Sequence, residues 1–255
     1  MADIWREKVK VRYGNVDRSD RLTFWSIFNF FQEASISHAA DLGVGLDFFE
    51  RTGKAWILSR LSLVVERRPK HGETIQIATW PRKWEKLFAL RDYNIQDEEG
   101  NAIICGRGGW LIMDMEKRKP LRVQDFLGSL PPNEGNNALS NTDFLVCPPG
   151  LNALDSLSKK MERTALYSDI DYYGHVNNAR YIQWIQDATD MELLTNIDRA
   201  RLDINYLSQV MPGESIDILC AESGNDEPLF AYEGKRPDSG QAVFRAELRI
   251  RKVFP

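Results

Sequence analysis

The hydrophobic positions in the first half of the chain follow a helical spacing and then a strand spacing. Between Leu22 and Leu42, apolar residues recur at intervals of three and four, which predicts one amphipathic helix. Gly43 follows it and is typical of a residue that ends a helix. Alternating or β-rich segments then predict four strands, at Trp56–Val65, Thr74–Trp80, Phe88–Gln96 and Ala102–Met115.

The second half repeats this order of elements. A strand is predicted over Arg163–Ser168 and a long helix over Asn177–Leu194. Four further strand patterns follow, at Leu202–Leu207, Ser215–Ala221, Leu229–Gly234 and Ala242–Lys252. Each half is therefore interpreted as one strand, one long helix and four antiparallel strands.

A long helix wrapped by an antiparallel sheet is the arrangement called a hotdog. The predicted fold class is thus α+β, with two tandem hotdog units at 1–116 and 161–255. The residues between them, 117–160, are rich in proline and glycine and are predicted to be a linker that carries the chain from one unit to the next. Two such units can pair their sheets edge to edge into one continuous sheet, which removes exposed strand edges.

The two halves also match residue by residue. With an offset of 154 residues, the following positions coincide: Asp17 with Asp171, Leu22 with Val176, and Gln32-Glu33-Ala34 with Gln186-Asp187-Ala188. With an offset of 141 residues, RLSLVVERRPKHGETIQI from Arg60 coincides with RLDINYLSQVMPGESIDI from Arg201. The offset changes because the first half has a longer insert after its helix, around 47–54. Two ordered blocks indicate a duplicated domain.

Polar residues concentrate between the strand and the helix of the second half, in YSDIDYYGHVNNARY from Tyr167 to Tyr181. The start of a helix has unpaired N–H groups and favours negative charge, so a developing oxyanion would be stabilised there. Asp171 lies four residues before His175, and Gly174 permits a tight bend between them. A carboxylate beside an imidazole can activate water or attack a carbonyl, while the histidine positions or protonates.

The same residues have a structural alternative. Asp171 could accept hydrogen bonds from loop amides, and Asn177 and Asn178 could cap the helix. The repeat favours the chemical interpretation, because the first half has Arg21 where the second has His175. We therefore expect the second half to carry the chemistry and the first half to provide a ligand pocket.

The remaining histidines and the cysteines indicate structural roles. His38 is predicted to pack within the first helix, and His71 to lie in a solvated turn. The three histidines lack metal-ligand spacing, so neither a metal nor another cofactor is predicted. Cys105 and Cys220 are predicted to be buried in strands and Cys147 to lie in the linker, a scattered set that suits a reducing cytoplasm.

The composition is that of an ordinary globular protein, with 43% hydrophobic and 27% charged residues in a chain of 255. No apolar run approaches the length of a membrane span, and the start, MADIWREKVK, lacks the apolar segment of a signal peptide. We therefore expect a cytoplasmic protein that does not insert into membranes. The net charge of −4 argues against bulk nucleic-acid binding. Seven tryptophans and twelve phenylalanines would suit both a core and a deep apolar channel.

The chain resembles the acyl-acyl carrier protein (acyl-ACP) thioesterases, bacterial relatives of the plant plastid enzymes that end fatty acid synthesis. The resemblance spans essentially the full length and rests on VRYGNVDRSDRLTFWSIFNFFQEASISHAADLG, DIDYYGHVNNARYIQWIQD and RLDINYLSQVMPGESI. It implies a tandem hotdog that hydrolyses acyl-ACP thioesters to free fatty acids. It also implies catalysis in the second unit and acyl-chain selection largely by the first.

The resemblance assigns roles to individual residues. The family's catalytic aspartate and histidine fall on Asp171 and His175. An asparagine of the family falls on Tyr173, and an acidic residue after the helix falls on Gln209, whose amide is expected to orient a water molecule. The thioester carbonyl is expected near the backbone amide of Val176.

The substrate and its carrier are expected to use both units. Tyr173 and Asn177 are predicted to contact the substrate at the start of the second helix, with the acyl chain in an apolar tunnel of the first unit. An acidic acyl carrier protein would bind basic side chains. The candidate clusters are Arg67-Arg68-Lys70, Arg82-Lys83-Lys86 and Lys117-Arg118-Lys119. A homodimer of the whole chain is left open.

Three other functions remain open at this point. An acyl-CoA thioesterase would use the same hotdog chemistry on a different carrier. A non-catalytic acyl-binding module is suggested by Tyr173 and Gln209, where the family has asparagine and an acid. A hotdog dehydratase would need its acid and base in a different arrangement.

Overall fold

The computed structural model describes residues 4–128, 130–139, 157–223 and 228–251. The N-terminal half consists of β1 (Trp5–Lys10), α1 (Phe24–Asp41), α2 (Leu46–Thr52), β2 (Lys54–Val65), β3 (Thr74–Glu85), β4 (Phe88–Gln96), β5 (Ala102–Asp114), β6 (Lys119–Leu121) and α3 (Val123–Leu127). The C-terminal half consists of β7 (Ser158–Thr164), α4 (Asn178–Asp187), α5 (Met191–Asn196), β8 (Arg199–Tyr206), β9 (Ser215–Ser223), β10 (Leu229–Lys235) and β11 (Ala242–Arg251). A short 3₁₀ turn precedes each long helix, at Tyr13–Asn15 and Tyr167–Asp169.

The strands form one antiparallel sheet of eleven strands, in the order β1-β3-β4-β5-β2-β8-β11-β10-β9-β7, with β6 added beside β5. Both halves follow the same internal order outward from the central β2–β8 pair. The predicted pair of hotdog units with one continuous sheet is confirmed. The two end strands, WREKVK and SKKMERT, carry charged side chains, which is how natural sheets discourage edge-to-edge association.

The β2–β8 pair lies on a local pseudo-two-fold axis. Arg60 pairs with Asn205 and Val64 pairs with Arg201. Since Arg60 is the repeat equivalent of Arg201, and Val64 that of Asn205, exchanging the two halves leaves the register of the pair unchanged. At its centre Ser62 faces Asp203, its own equivalent in the repeat, and the Ser62 hydroxyl donates to Asp203 Oδ1 at 2.5 Å. Both side chains are buried.

The long helices α1 and α4 pack against the sheet and contact each other. In α1 the Thr23 hydroxyl caps the first turn by accepting from Ser26 N, and the helix ends before Gly43, whose φ is +72°. The backbone amide of Trp25 donates to Gln186 Oε1 in α4 at 2.8 Å. One apolar core continues through both units because the two helices bury the following side chains against the sheet: Phe24, Ile27, Phe28, Phe31, Tyr181, Ile182 and Trp184.

Some predicted boundaries are wrong. The helix predicted over Asn177–Leu194 is two helices, because Asp190 caps a new one by accepting from Leu193 N. The strand predicted over Arg163–Ser168 ends at Thr164, and a 3₁₀ turn follows. The strand predicted to end at Trp80 continues to Glu85.

The first part of the predicted linker, 117–160, packs on the N-terminal unit. β6 pairs with β5, and α3 buries Val123 and Leu127. Further on, the backbone amide of Ala138 donates to buried Asp92 at 3.0 Å. Residues 140–156, including Cys147, lie outside the described residues, and the division at 116 and 160 remains a prediction. No helix within the described ranges is long and apolar enough to cross a membrane.

Candidate active site

The loop before α4 has a backbone that the fold itself imposes. Asp171 N donates to His175 O and Gly174 N donates to Asp171 O, both at 3.0 Å, while Gly174 takes a φ of +82°. The first unit has the same two bonds in its own loop, and Asp20 stands at the glycine position with a φ of +59°. The predicted tight bend at Gly174 is confirmed, and the chemistry of the loop must come from side chains.

The Val176 amide, near which the thioester carbonyl is expected, already has an acceptor. That amide donates to the carbonyl of Val210 at 2.9 Å, just as Leu22 N in the first unit donates to Pro69 O at 2.8 Å. The bond joins the loop to the turn after the following strand, and its presence in both units marks it as part of the fold. Val176 contacts the cavity through other atoms and offers no free backbone donor there.

The backbone amide of Asn178 is the donor that this arrangement leaves open. Asn177 caps α4, since its side chain accepts from Ala179 N at 2.8 Å and its carbonyl accepts from Arg180 N at 2.9 Å. Among the described residues, Asn178 N has no acceptor, as expected for the first residue of a helix.

The Asp171 carboxylate has few partners. Its Oδ1 accepts from Tyr173 N at 2.9 Å, and His175 Nδ1 lies 3.7 Å from the same oxygen. Among the described residues no lysine or arginine pairs with it. Asp171 and His175 both remain partly accessible. A carboxylate in the loop before α4, with one oxygen that accepts no hydrogen bond from the described residues, is available to act on a water molecule or a carbonyl.

The equivalent aspartate of the first unit is fully engaged. Asp17 accepts from the amide and hydroxyl of Ser19, and Arg68 Nη1 donates to its Oδ2 at 2.7 Å. Burial alone would raise the pKa of Asp17, but the Ser19 hydrogen bonds and the Arg68 charge lower it. Arg68 is almost completely buried and also donates to the carbonyls of Leu194 and Ile197 in the other unit.

Gln209 is the repeat equivalent of Arg68. It lies in the loop after β8, where its carbonyl accepts from Arg236 Nη2 at 2.5 Å. The side-chain amide of Gln209 has no hydrogen-bond partner within the described part of the chain and is exposed. A neutral, free amide therefore stands where the first unit has a cation bound to its aspartate.

Two tyrosines precede the histidine in the loop. The ring of Tyr173 stacks on His175, with 6.2 Å between the ring centroids. Burial and the nearby Asp171 raise the pKa of the Tyr173 hydroxyl. The hydroxyl of Tyr172 donates to Glu50 in α2 of the other unit. The repeat equivalent of Tyr172 is Arg18, which makes the mirror contact by donating to Glu192 in α5 at 2.9 Å.

One cavity of about 640 Å³ joins these residues to the N-terminal unit. All six predicted site residues line it: Asp171, Tyr173, His175, Val176, Asn177 and Gln209. The other wall is mainly apolar and is formed by the following residues: Ile36, Ala39, Leu42, Val44, Leu46, Ala55, Trp56, Leu58, Trp84, Ala89, Trp110, Leu127 and Leu130.

Sequence reasoning missed part of this wall. Leu46 belongs to α2, which the sequence indicated only as an insert, and Leu127 belongs to α3 in the predicted linker. The paired aromatics of LDFF in the insert were the available signal. The charged residue Arg91 in the same wall gave no signal, because a single arginine in a strand has no pattern.

The basic clusters differ in accessibility. Arg68 and Arg82 are buried, where Arg68 donates to Asp17 and Arg82 donates to Asn137. Two of the three clusters therefore each lose one arginine as an exposed charge. The segment 117–119 is exposed throughout. It follows Met115, which is exposed and lines the cavity.

Sequence comparisons give a consistent result. The profile of the acyl-ACP thioesterase N-terminal domain matches residues 2–128, and that of the C-terminal domain matches residues 154–252. A chloroplastic acyl-[acyl-carrier-protein] hydrolase of Cuphea viscosissima is 25% identical over 253 residues, which is 94% of this chain. The match spans 61% of that relative's own length.

Solved structures agree in fold. An acyl-ACP thioesterase of Bacteroides thetaiotaomicron is 26% identical, with a TM-score of 0.77 over 97% of this chain and 98% of its own. A 12:0-ACP thioesterase of Umbellularia californica superposes with a TM-score of 0.83 at 19% identity, over 97% of this chain and 94% of its own. These likenesses extend over both units and the sheet between them.

Proposed function

This chain belongs to the acyl-ACP thioesterase family, and from that premise we propose that it hydrolyses acyl-ACP to release a free fatty acid. One observation carries the proposal. The cavity that holds Asp171, His175 and Gln209 continues into an apolar chamber of the N-terminal unit. A thioester at the polar end would leave its acyl chain in the apolar part.

The chemistry follows from the free groups of the polar end. Water attacks the thioester carbon, the carbon–sulfur bond breaks, and the thiolate takes up a proton. Asp171 accepts the proton of the attacking water. Alternatively, an oxygen of Asp171 attacks the carbon and displaces the thiolate, and water then hydrolyses the acyl–aspartate anhydride, which releases the fatty acid and restores the carboxylate. The amide of Gln209 orients the water, and His175 positions the reacting groups and protonates the leaving thiolate.

The oxyanion would be stabilised by the start of α4. The backbone amide of Asn178 is free to donate, and the aligned peptide dipoles favour negative charge there. Asn177 and the Val176–Val210 bond hold this turn in position. Tyr173, stacked on His175, limits the motion of the imidazole.

The proposed partner is acyl carrier protein, which would bind at 117–119. Met115 N donates to Gly53 O directly after α2, and α2 is the helix that Tyr172 contacts through Glu50. The basic segment thus lies near the exposed rim of the cavity. A cytoplasmic location, from the cysteine usage, is part of the same proposal.

The experiment is free-thiol release from acyl carrier protein substrates with C8 to C18 chains, saturated and monounsaturated, beside matched acyl-CoAs. The proposal expects hydrolysis of the carrier-bound series and loss of that rate in Asp171→Asn. Hydrolysis of the acyl-CoAs without hydrolysis of the acyl carrier protein substrates would show that coenzyme A is the carrier. Binding of acyl chains without any hydrolysis would contradict the proposed reaction.

A further inference from the structure

Arg91 is the one charged side chain that the N-terminal unit contributes to the described wall of the cavity. It stands on β4, where Ala89, Arg91, Tyr93 and Ile95 share a face because side chains alternate along a strand. Tyr93 stacks on Phe31 of α1, with 4.4 Å between ring centroids, so this face is the one that meets the helix. The partly buried Arg91 therefore lies beside the apolar residues of the cavity wall.

The partners of Arg91 are neutral. Its Nη1 is 3.0 Å from His38 Nδ1 and donates to Thr79 Oγ1 at 3.3 Å. Burial, together with the nearby Arg91 charge, lowers the pKa of His38 to about 4, so the imidazole is neutral near pH 7 and Nδ1 accepts the hydrogen bond. No carboxylate of the described residues forms an ion pair with Arg91.

The neighbouring acid is engaged elsewhere. Asp92 points to the opposite face of the sheet, where Arg107 binds both of its oxygens at 2.6 and 2.8 Å. Arginine has five N–H donors, and both contacts of Arg91 use Nη1. The Nε and Nη2 donors have no acceptor within the described residues. Arg91 is partly accessible and lines a largely apolar cavity, so these donors are available to an acceptor that enters it.

We propose that Arg91 binds an oxygen substituent on the acyl chain, so that the substrates include fatty acyl groups carrying a hydroxyl or carboxylate remote from the thioester. The proposal deepens the proposed function, on which it rests. A plain methylene chain would leave the free donors of Arg91 without an acceptor, whereas an oxygen at that point would accept from them.

The test uses amide analogues of acyl-pantetheine, which cannot be hydrolysed as thioesters. Three analogues share one chain length and differ at the far end: methyl, hydroxyl and carboxylate. Dissociation constants are measured by calorimetry for the wild type, Arg91→Met and Arg91→Lys, over a series of chain lengths. We expect an oxygenated analogue to bind the wild type more tightly than the plain chain of its best length. In Arg91→Met that preference should fall at least tenfold, with partial recovery in Arg91→Lys.

The outcomes separate the inference from the reaction. If both oxygenated analogues bind the wild type more weakly than the methyl analogue at every chain length, the inference is overturned. This result depends only on the wild-type protein and not on the folding of a variant. A preference that persists in Arg91→Met overturns it as well. If only the hydroxyl analogue binds more tightly than the methyl analogue, Arg91 binds a neutral oxygen substituent. If only the carboxylate analogue does so, Arg91 binds an anionic one. A protein that binds these analogues as expected but hydrolyses no thioester would refute the proposed reaction and leave the subsite standing.

Discussion

Asp17 and Arg68 form an ion pair of 2.7 Å at the position where the repeat places Asp171 and Gln209. The two loops share their backbone hydrogen bonds, so the difference lies in the side chains. With glutamine at that position in the second unit, no lysine or arginine of the described residues pairs with Asp171. One copy of the duplicated aspartate is thus held in an ion pair, and the other is available for the proposed chemistry.

Asp171→Asn should lower kcat for acyl-ACP hydrolysis by about 10²–10⁴-fold, the usual effect of losing a general base. The reason is that an amide has no basic lone pair with which to take a proton and is a poor nucleophile. Thiol release under saturating substrate measures the change. Retention of the wild-type kcat would refute the role of Asp171.

Asp17→Asn is the matched control for that variant. It should leave kcat near the wild-type value but lower the free energy of unfolding by about 1.5–3 kcal/mol, the range for hydrogen bonds to charged groups. Arg68 would keep its two carbonyl acceptors and lose its counter-ion. Urea unfolding measures the loss, and a stability equal to that of the wild type would contradict the assignment.

Gln209→Ala should lower kcat about tenfold while changing KM little. The side-chain amide is free to orient the water, whereas the backbone carbonyl that Arg236 binds would remain. Gln241→Ala is the control, because Gln241 also contacts Arg236 but does not line the cavity. Equal kcat values for the two variants would count against a role in orienting water.

Acidification should destabilise the protein through His38 between pH 6.5 and about 4, the interval between its ordinary and its lowered pKa. In this interval the unfolded chain binds a proton that the folded chain does not, so the free energy of unfolding falls as the pH falls. His38→Asn, whose side-chain oxygen can replace Nδ1 as acceptor, should flatten this dependence. Urea unfolding across the interval tests it, with His71→Asn controlling for the loss of one histidine.

Replacement of Lys117, Arg118 and Lys119 by glutamine should raise KM for acyl-ACP about tenfold and leave kcat unchanged. The basis is electrostatic attraction of an acidic carrier, which added salt also weakens. The variant should therefore respond less to salt than the wild type. Glutamine at Arg6, Lys8 and Lys10, all exposed on the end strand β1, is the charge-matched control. Equal salt responses in the two variants would place docking elsewhere.

Ala39→Leu should shift the substrate preference toward shorter acyl chains. Ala39 is buried on α1 and lines the cavity, so the larger side chain occupies space there. Misfit by one methylene changes discrimination by about 1–3 kcal/mol. The acyl-ACP panel measures the shift, and Ala40→Leu, at an exposed neighbouring position, is the control. An unchanged chain profile would show that this wall does not limit chain length.

Much of the fold was predictable because the spacing of hydrophobic residues along the chain indicates which segments form helices and which form strands. The spacing from Leu22 gave α1, and the matching blocks gave the duplication and the joined sheet. The helix break at Asp190 was not predictable with the same certainty, since apolar spacing continues through Leu193 and Leu194 and hides a new cap.

The candidate site was only partly predictable. Asp171 and His175 could be named because their spacing and the repeat marked them, and Gln209 could be named only through the resemblance to the family. The pairing of the Val176 amide with Val210 depends on how a distant turn closes on the loop, and the position of Arg91 depends on which face of β4 meets α1. Contacts of this kind arise only when separate segments of the chain fold together.

The contact between Ser62 and Asp203 favours pairing between unlike units. A unit that paired with a second copy of itself would bring identical residues together on the axis. Two copies of the C-terminal unit would place one Asp203 carboxylate opposite another, and two copies of the N-terminal unit would offer no carboxylate to accept the Ser62 hydrogen bond. The Ser62–Asp203 hydrogen bond forms only between different halves. At the centre of the sheet, the two halves are therefore complementary to each other and no longer to copies of themselves.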